Sequence, residues 1–334
     1  MRAAAGYKAA FSLIAACAVV MGVRSGAQST ETKTSGRTLP VWAYPVLPAP
    51  AGAAAAPGES PQHIAGSSAA YTEAAIQDLF IVPDWFPADH PAMPDVVAHG
   101  RKPGVMACAH CHLPNGLGRP ENSSVAGLPV RYMMAQMEAF RNGDRKSSEP
   151  KLASTAHMVE LSKAATPEEM KAGVEYFAAL KPAPWIRVVE AAEVPKTQVV
   201  KLMLIPAKGG GTEPIGDRVV EMPEDLEQVE LRNPRSGFVA YVPPGSLKRG
   251  EALVKAGGDG KTLACTMCHG QDLRGVGDVP SIAGRSPSQM ARQIIDFQTG
   301  ARSGPGAGLM KGVVTKLTES DIVAITGYLA SLHP

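Results

Sequence analysis

The sequence predicts a mainly α protein of two small tandem helical domains joined by a partly β, irregular connector. Three observations predict it. The pentapeptide Cys108-Ala-His-Cys-His112 returns as Cys265-Thr-Met-Cys-His269. A constant shift of 157 carries the first onto the second, and also Ala126-Gly127 onto Ala283-Gly284, Gln136 onto Gln293, Phe140 onto Phe297, Gly143 onto Gly300 and Arg145 onto Arg302. A shift of 152 then takes Met158 to Met310, Thr166 to Thr318, Tyr176 to Tyr328, Leu180 to Leu332 and Pro182 to Pro334. The repeat therefore accommodates one loop five residues longer in the first half. Finally, residues 183–245 break the helical pattern with short apolar runs between glycines and prolines.

In chain order, residues 1–27 read as an export signal. Arg2 and Lys8 precede an apolar run from Ala9 to Val23, and Ser25-Gly-Ala27 offers small residues for cleavage before Gln28. Ile14-Ala-Ala-Cys17 resembles a lipoprotein box, but the apolar run continues past Cys17, which favours cleavage after Ala27. Residues 28–75 form a leader rich in Pro, Ala, Gly and Ser. Its prolines argue for a flexible segment, with Trp42 and Tyr44 as candidates for docking.

Residues 76–182 form the first domain. Ala70–Phe80 has helical spacing across its start, Tyr132–Phe140 reads as its middle helix, and Gly143 stands where that helix stops. Thr166-Pro-Glu-Glu169 offers a capping threonine, a first-turn proline and a glutamate three residues on. Strands are expected at 186–190, 218–221 and 237–242 within the connector 183–245, which is too long and too apolar for a bare tether. Residues 246–334 repeat the first domain: Gln289–Phe297 is the middle helix, Gly300 its stop and Thr318-Glu-Ser-Asp321 the second cap. Ile322, Ile325, Leu329 and Leu332 then mark one apolar stripe.

The pentapeptides carry the chemistry. Cys-x-x-Cys-His is the attachment pattern of a c-type haem. Two cysteines on one helical turn can each form a thioether to the same porphyrin, and the following histidine can bind its iron. A zinc ribbon needs its two Cys-x-x-Cys knuckles about 15–20 residues apart, whereas 153 residues separate Cys111 from Cys265. A thioredoxin-type motif needs a βαβ setting that neither copy has. A disulfide within each pair leaves both histidines unexplained. The expectation is two covalently bound haem c groups on Cys108, Cys111, Cys265 and Cys268, with His112 and His269 as proximal iron ligands.

The opposite axial ligand decides between electron transfer and reactivity. Methionine supplies a soft thioether that favours ferrous iron. The chain has 14 methionines, most of them expected to be core filler, and the repeat narrows the field to two matched pairs. Met133 and Met290 lie inside middle helices, where packing explains them. Met158 and Met310 fall in an expected loop before the last helix and are the candidate distal ligands. His157 is the rival in the first half, but its counterpart is Leu309. His63, His90, His99, His110 and His333 lack matched partners and read as surface or loop residues. A proximal histidine usually donates its second ring N–H to a fixed acceptor. Pro280 can present its carbonyl to His269, and Ser123 stands at the matching place for His112.

Charge excludes one partner class. Without Arg2, Lys8 and Arg24 the chain carries 30 basic and 31 acidic residues, so no nucleic-acid partner is expected. All four cysteines beyond residue 27 belong to the two pentapeptides.

These residues resemble tandem dihaem c-type cytochromes, over roughly residues 93–182 and 246–334. The resemblance rests on both pentapeptides, Met158, Met310 and the helix before Pro182 and Pro334. In that family a glycine of the opening helix packs on an aromatic of the last helix; Gly250 and Tyr328 are similar to that pair, while Met93 replaces the glycine in the first half. The connector is absent from compact members. The resemblance implies a periplasmic electron carrier with redox protein partners, a membrane-associated respiratory complex among the candidates. It would work between a dehydrogenase or quinol-oxidising complex and a terminal oxidase or reductase, without catalysis of its own. A dihaem peroxidase or the haem subunit of a periplasmic dehydrogenase is the alternative.

Overall fold

A computed structural model describes residues 33–34, 37–46, 57–304 and 306–334. The expected signal peptide and the rest of the leader lie outside the described residues. Two-residue strands open the described chain: β1 (Lys33–Thr34) pairs with β2 (Arg37–Thr38), and β3 (Pro61–Gln62) with β4 (Tyr71–Thr72). The helix expected over 70–80 shrinks to α1 (Glu73–Gln77), because Thr72 caps it and the chain turns extended at Asp78.

The first half continues with α2 (Asp95–Ala98), α3 (Cys108–His112), α4 (Val130–Asn142), α5 (Ala153–Ala164) and α6 (Pro167–Ala179). The second half has α8 (Ser246–Ala256), α9 (Thr266–His269), α10 (Pro287–Thr299), α11 (Ala307–Val314) and α12 (Glu319–Ser331). Matched signals shape matched elements. Gly143 and Gly300 end α4 and α10 at φ 78° and 80°, a left-handed turn that glycine adopts without a Cβ penalty. Both capping boxes form. The Thr166 hydroxyl accepts from the Glu169 N–H and the Glu169 carboxylate from the Thr166 N–H; Thr318 and Asp321 repeat the exchange. Each cap contributes about 1 kcal/mol.

The halves differ at their openings. α8 spans 11 residues and α2 only 4, as Pro91 and Pro94 confine the first half's opening helix. In the second half α8 crosses α12 so tightly that a Cβ on Gly250 would lie 2.6 Å from the Tyr328 Cβ. α12 is not the single-striped helix its pattern suggested. Asp321 through Ala330 are all buried, because α8, α10, β5 and β11 all pack against it.

The connector forms β5 (Ile186–Glu190), β6 (Glu193–Pro195), β7 (Thr197–Val200), β8 (Met203–Pro206), β9 (Thr212–Pro214), β10 (Val220–Pro223), α7 (Leu226–Glu230) and β11 (Phe238–Val242). β11 is central, antiparallel to β10 and parallel to β5, with Ala240 opposite Val188. Its apolar residues serve both halves. Phe238 and Val229 enter the core of the first, Ala240 and Val242 that of the second. Glu31–Pro334 consequently pack as one unit.

Part of the leader is tied down rather than flexible. Trp42 and Tyr44 are buried in the second core. The Trp42 indole donates to Glu319 at 3.0 Å and the Tyr44 hydroxyl to Asp296 at 2.9 Å.

Candidate haem-binding site

α3 and α9 each carry a histidine whose Nδ1–H is donated to a backbone carbonyl eleven residues on. His112 donates to Ser123 O and His269 to Pro280 O, both at 2.8 Å. The acceptor is the main chain in both halves, so the change from proline to serine leaves it intact. Each bond fixes the tautomer and leaves Nε2 as the free base. Burial lowers both pKa values, which favours the neutral imidazole that a metal requires. Phe177 packs edge-on against His112 at 5.8 Å.

The four cysteines are free thiols. Burial pushes Cys108 up to about 12 and Cys265 up to about 11, so neither is a poised thiolate. Among the described residues no three His, Cys, Asp or Glu side chains gather where they could hold a metal ion.

The structure sorts the methionines. Met133 and Met290 are core residues of α4 and α10. Met158 and Met310 are half-buried, but they lie on helices α5 and α11 rather than in a loop. The sequence Ala153–Ala164 has no glycine or proline to stop a helix. Met310 packs against the second core. His157 is exposed, and Leu309 is 80% exposed. Of the histidines read as surface or loop residues, His110 is neither, and His90 is a loop residue whose side chain is buried. His110 is 1% exposed on α3. The His90 side chain, 4% exposed, bonds Asp84 at 3.1 Å and meets Tyr176 edge-on.

In the sequence Gln136, Arg145, Gln293 and Arg302 stand out only as repeat matches, with no role of their own. The structure brings them together. Arg145 donates to Gln136 at 3.0 Å and to Gln293 at 2.9 Å; Arg302 donates to Gln293 at 3.0 Å, to Gln136 at 2.8 Å and to the Tyr132 hydroxyl at 2.9 Å. Each guanidinium also stacks on its own half's phenylalanine, Phe140 or Phe297, at 4.5 and 4.4 Å. Burial and the neighbouring Arg302 pull Arg145 down to about 9. These hydrogen-bond partners are neutral; the Asp296 carboxylate acts on Arg145 only through space, its own bonds going to Tyr44 and Ser148.

The Cytochrome c family model matches residues 247–333. The cytochrome c-554(548) of Halomonas halodenitrificans is 32% identical over 77 residues, covering 23% of this chain and 93% of that protein. The chain belongs to the cytochrome c family. The cytochrome c4 of Stutzerimonas stutzeri is 34% identical over 140 residues, 37% of this chain. The match spans 65% of the length of that relative. A protein of Thiomonas intermedia named "Thiosulfate dehydrogenase electron acceptor" is 25% identical over 234 residues, 69% of this chain and 80% of that protein.

Membership means covalently bound haem c, iron and electron transfer. The residues present fit that group. Free thiol pairs stand beside neutral imidazoles held through Nδ1, and the Arg145–Arg302 pair could take up haem's carboxylate side arms.

Proposed function

We propose that the chain is an exported dihaem c-type cytochrome that carries electrons from a dehydrogenase or quinol-oxidising complex to a terminal oxidase or reductase. The observation that carries the reading is the duplicated histidine geometry, with an identical 2.8 Å bond to the carbonyl eleven residues on. In this reading Cys108 and Cys111 hold one haem and Cys265 and Cys268 the other. His112 with Met158, and His269 with Met310, are the axial ligands. The domains run 76–182 and 246–334, with 183–245 between them, and residues 1–27 address the chain to the periplasm. No described helix is long and apolar enough to cross a membrane.

When bound, haem c supplies a one-electron Fe(III)/Fe(II) couple. The chain's own residues do the rest. The histidines are held in one tautomer; with Met158 and Met310 they would hold the iron, and the arginines would offset the carboxylate charge. Two filled axial positions favour electron transfer over peroxide chemistry. The dehydrogenase end of the proposal draws on the Thiomonas relative, an electron acceptor by name.

The test is mass spectrometry and an optical spectrum of the protein purified from the periplasm. Two haem masses, with low-spin iron and the methionine–iron charge-transfer band, are the expected result. A stable high-spin, peroxide-reactive site would overturn the carrier in favour of the peroxidase.

A further inference from the structure

The repeat makes a like-for-like comparison possible, because the shift of 157 pairs each residue around one attachment motif with its counterpart around the other. His110 and Met267 hold the same place inside the two pentapeptides. His110 is 1% exposed and Met267 70%. Arg119 and Val276 are the next such pair, at 9% and 61%. Glu121 is buried, and its counterpart Asp278 is exposed. Cys268 is exposed, while Cys111 is only half-exposed.

The cause is the connector. The segment from Asp225 to Ser236 lies across the first motif and is fastened by side chains of both partners. Arg232 donates to His110 O at 2.6 Å and to Ile76 O at 3.1 Å. The Trp85 indole donates to Leu231 O at 2.8 Å, and the Asn115 amide to Pro234 O at 2.5 Å. Arg235 grips Asp89 with two bonds, at 2.8 and 2.9 Å, and stacks over Phe86 at 3.6 Å. Val229, 2% exposed, is an apolar plug in the first core. The Arg232, Trp85 and Asn115 bonds are partly buried, so the cover is a fixed part of the fold. Nothing in the described chain covers the second motif in this way.

We infer that the connector closes the first attachment motif to other proteins, and that redox protein partners meet this cytochrome at the second motif, on the apolar face centred on Met267 and Val276. The inference rests on the electron-carrier reading and adds to it a direction of access. The occupant is a redox protein with a small apolar contact patch. The first half supplies the argument, since the same face of the repeat there already accepts a polypeptide segment with an apolar plug at its centre. The exposed loop that carries Val276 holds both signs, Asp272, Arg274 and Asp278, the last paired with Arg131 at 3.0 Å, which suits brief contacts of low salt dependence rather than a strongly steered pair. In each encounter one electron leaves the reduced protein and one arrives on the oxidised acceptor. Any electron held near the first motif must pass through the second to leave.

The experiment uses the full haem-loaded protein, reduced and mixed with two oxidants in a stopped-flow spectrometer. One is ferricyanide, small enough to reach any haem edge; the other is an oxidised monohaem cytochrome c. Met267→Glu places a negative charge at the centre of the open face, and Lys102→Glu, a larger charge change of two units, places one on the exposed surface of the first half. At an ionic strength that screens the added charge from the ferricyanide trianion, the expected result is a fall of about tenfold in the rate with the protein oxidant for Met267→Glu, no change for Lys102→Glu, and ferricyanide rates within twofold of the parent for both. A rate with the protein oxidant that Met267→Glu leaves within twofold of the parent, or that Lys102→Glu slows as much, overturns the inference. Should ferricyanide fail to oxidise the parent protein, the carrier reading itself falls, so the two failures are told apart.

Discussion

Gly250 and Tyr328 lock the first and last helices of the second half together. A Cβ at residue 250 would lie 2.6 Å from the Tyr328 Cβ and 2.1 Å from Ala324 O. The obstruction is backbone and a Cβ, neither of which can rotate away. Gly250→Ala is therefore expected to cost at least about 2 kcal/mol through forced separation of α8 and α12. Thermal unfolding of the loaded protein measures it, and a melting temperature equal to the parent's would show that the crossing has slack.

Met310 is the proposed sixth ligand in the second half. Met310→Ala should leave the haem attached, since both thioethers remain, but open the iron to carbon monoxide and lower its potential. Met158→Ala should do the same to the other haem. Carbon monoxide titration with a redox titration reads both effects, and a Met310→Ala protein that neither binds the gas nor changes potential would remove Met310 from the coordination sphere.

The arginine pair should raise the potentials of the haems it neighbours, because a buried cation disfavours the extra charge of ferric iron. Arg145→Gln and Arg302→Gln are each expected to lower at least one midpoint potential. The size expected is about 1 kcal/mol, or about 40 mV for one electron. Potentials that stay put in both variants would mean that the pair is a structural clasp without electrostatic reach.

Asp321 makes the second half sensitive to acid. Burial alone would raise its pKa, but donors from Lys261, Thr318 and Arg249 outweigh it and hold it at about 2. Its folded pKa lies below its unfolded value of about 3.9. The stability it contributes is thus complete above about pH 4 and disappears as the pH falls toward 2. The amount is on the order of 2 kcal/mol. Denaturant unfolding at pH 5, 4, 3 and 2 should show that loss in the parent and a shallower one in Asp321→Asn.

Much of the architecture was legible because duplication doubled every signal. The capping boxes at Thr166 and Thr318, the stops at Gly143 and Gly300, and the strands at 186–190 and 237–242 all stand where local chemistry put them. What the sequence could not show was tertiary choice. Met158 and Met310 read as loop residues because they precede the strongly capped last helix of each half, and neither the weakly patterned stretch at 153–164 nor the glycine-containing one at 307–314 announces a helix. His110 read as a surface residue because nothing local announces a connector that arrives from 120 residues away to cover it. The arginine–glutamine cluster was visible as four repeat matches, but its meaning needed the two halves to be brought face to face.

The contact between the halves is reciprocal. Arg145 serves its own half's glutamine and the other half's, and Arg302 does the same in return. The main chain obeys the same rule: Lys146 N–H donates to Ala301 O and Ser303 N–H to Asp144 O, each at 2.7 Å. Reciprocal bonding of this sort is the signature of a two-fold axis between identical subunits. Two separate copies of one such unit could make the same bonds across a two-fold axis. Carrying both units on one chain keeps each at a fixed effective concentration beside the other, so that dilution cannot part them.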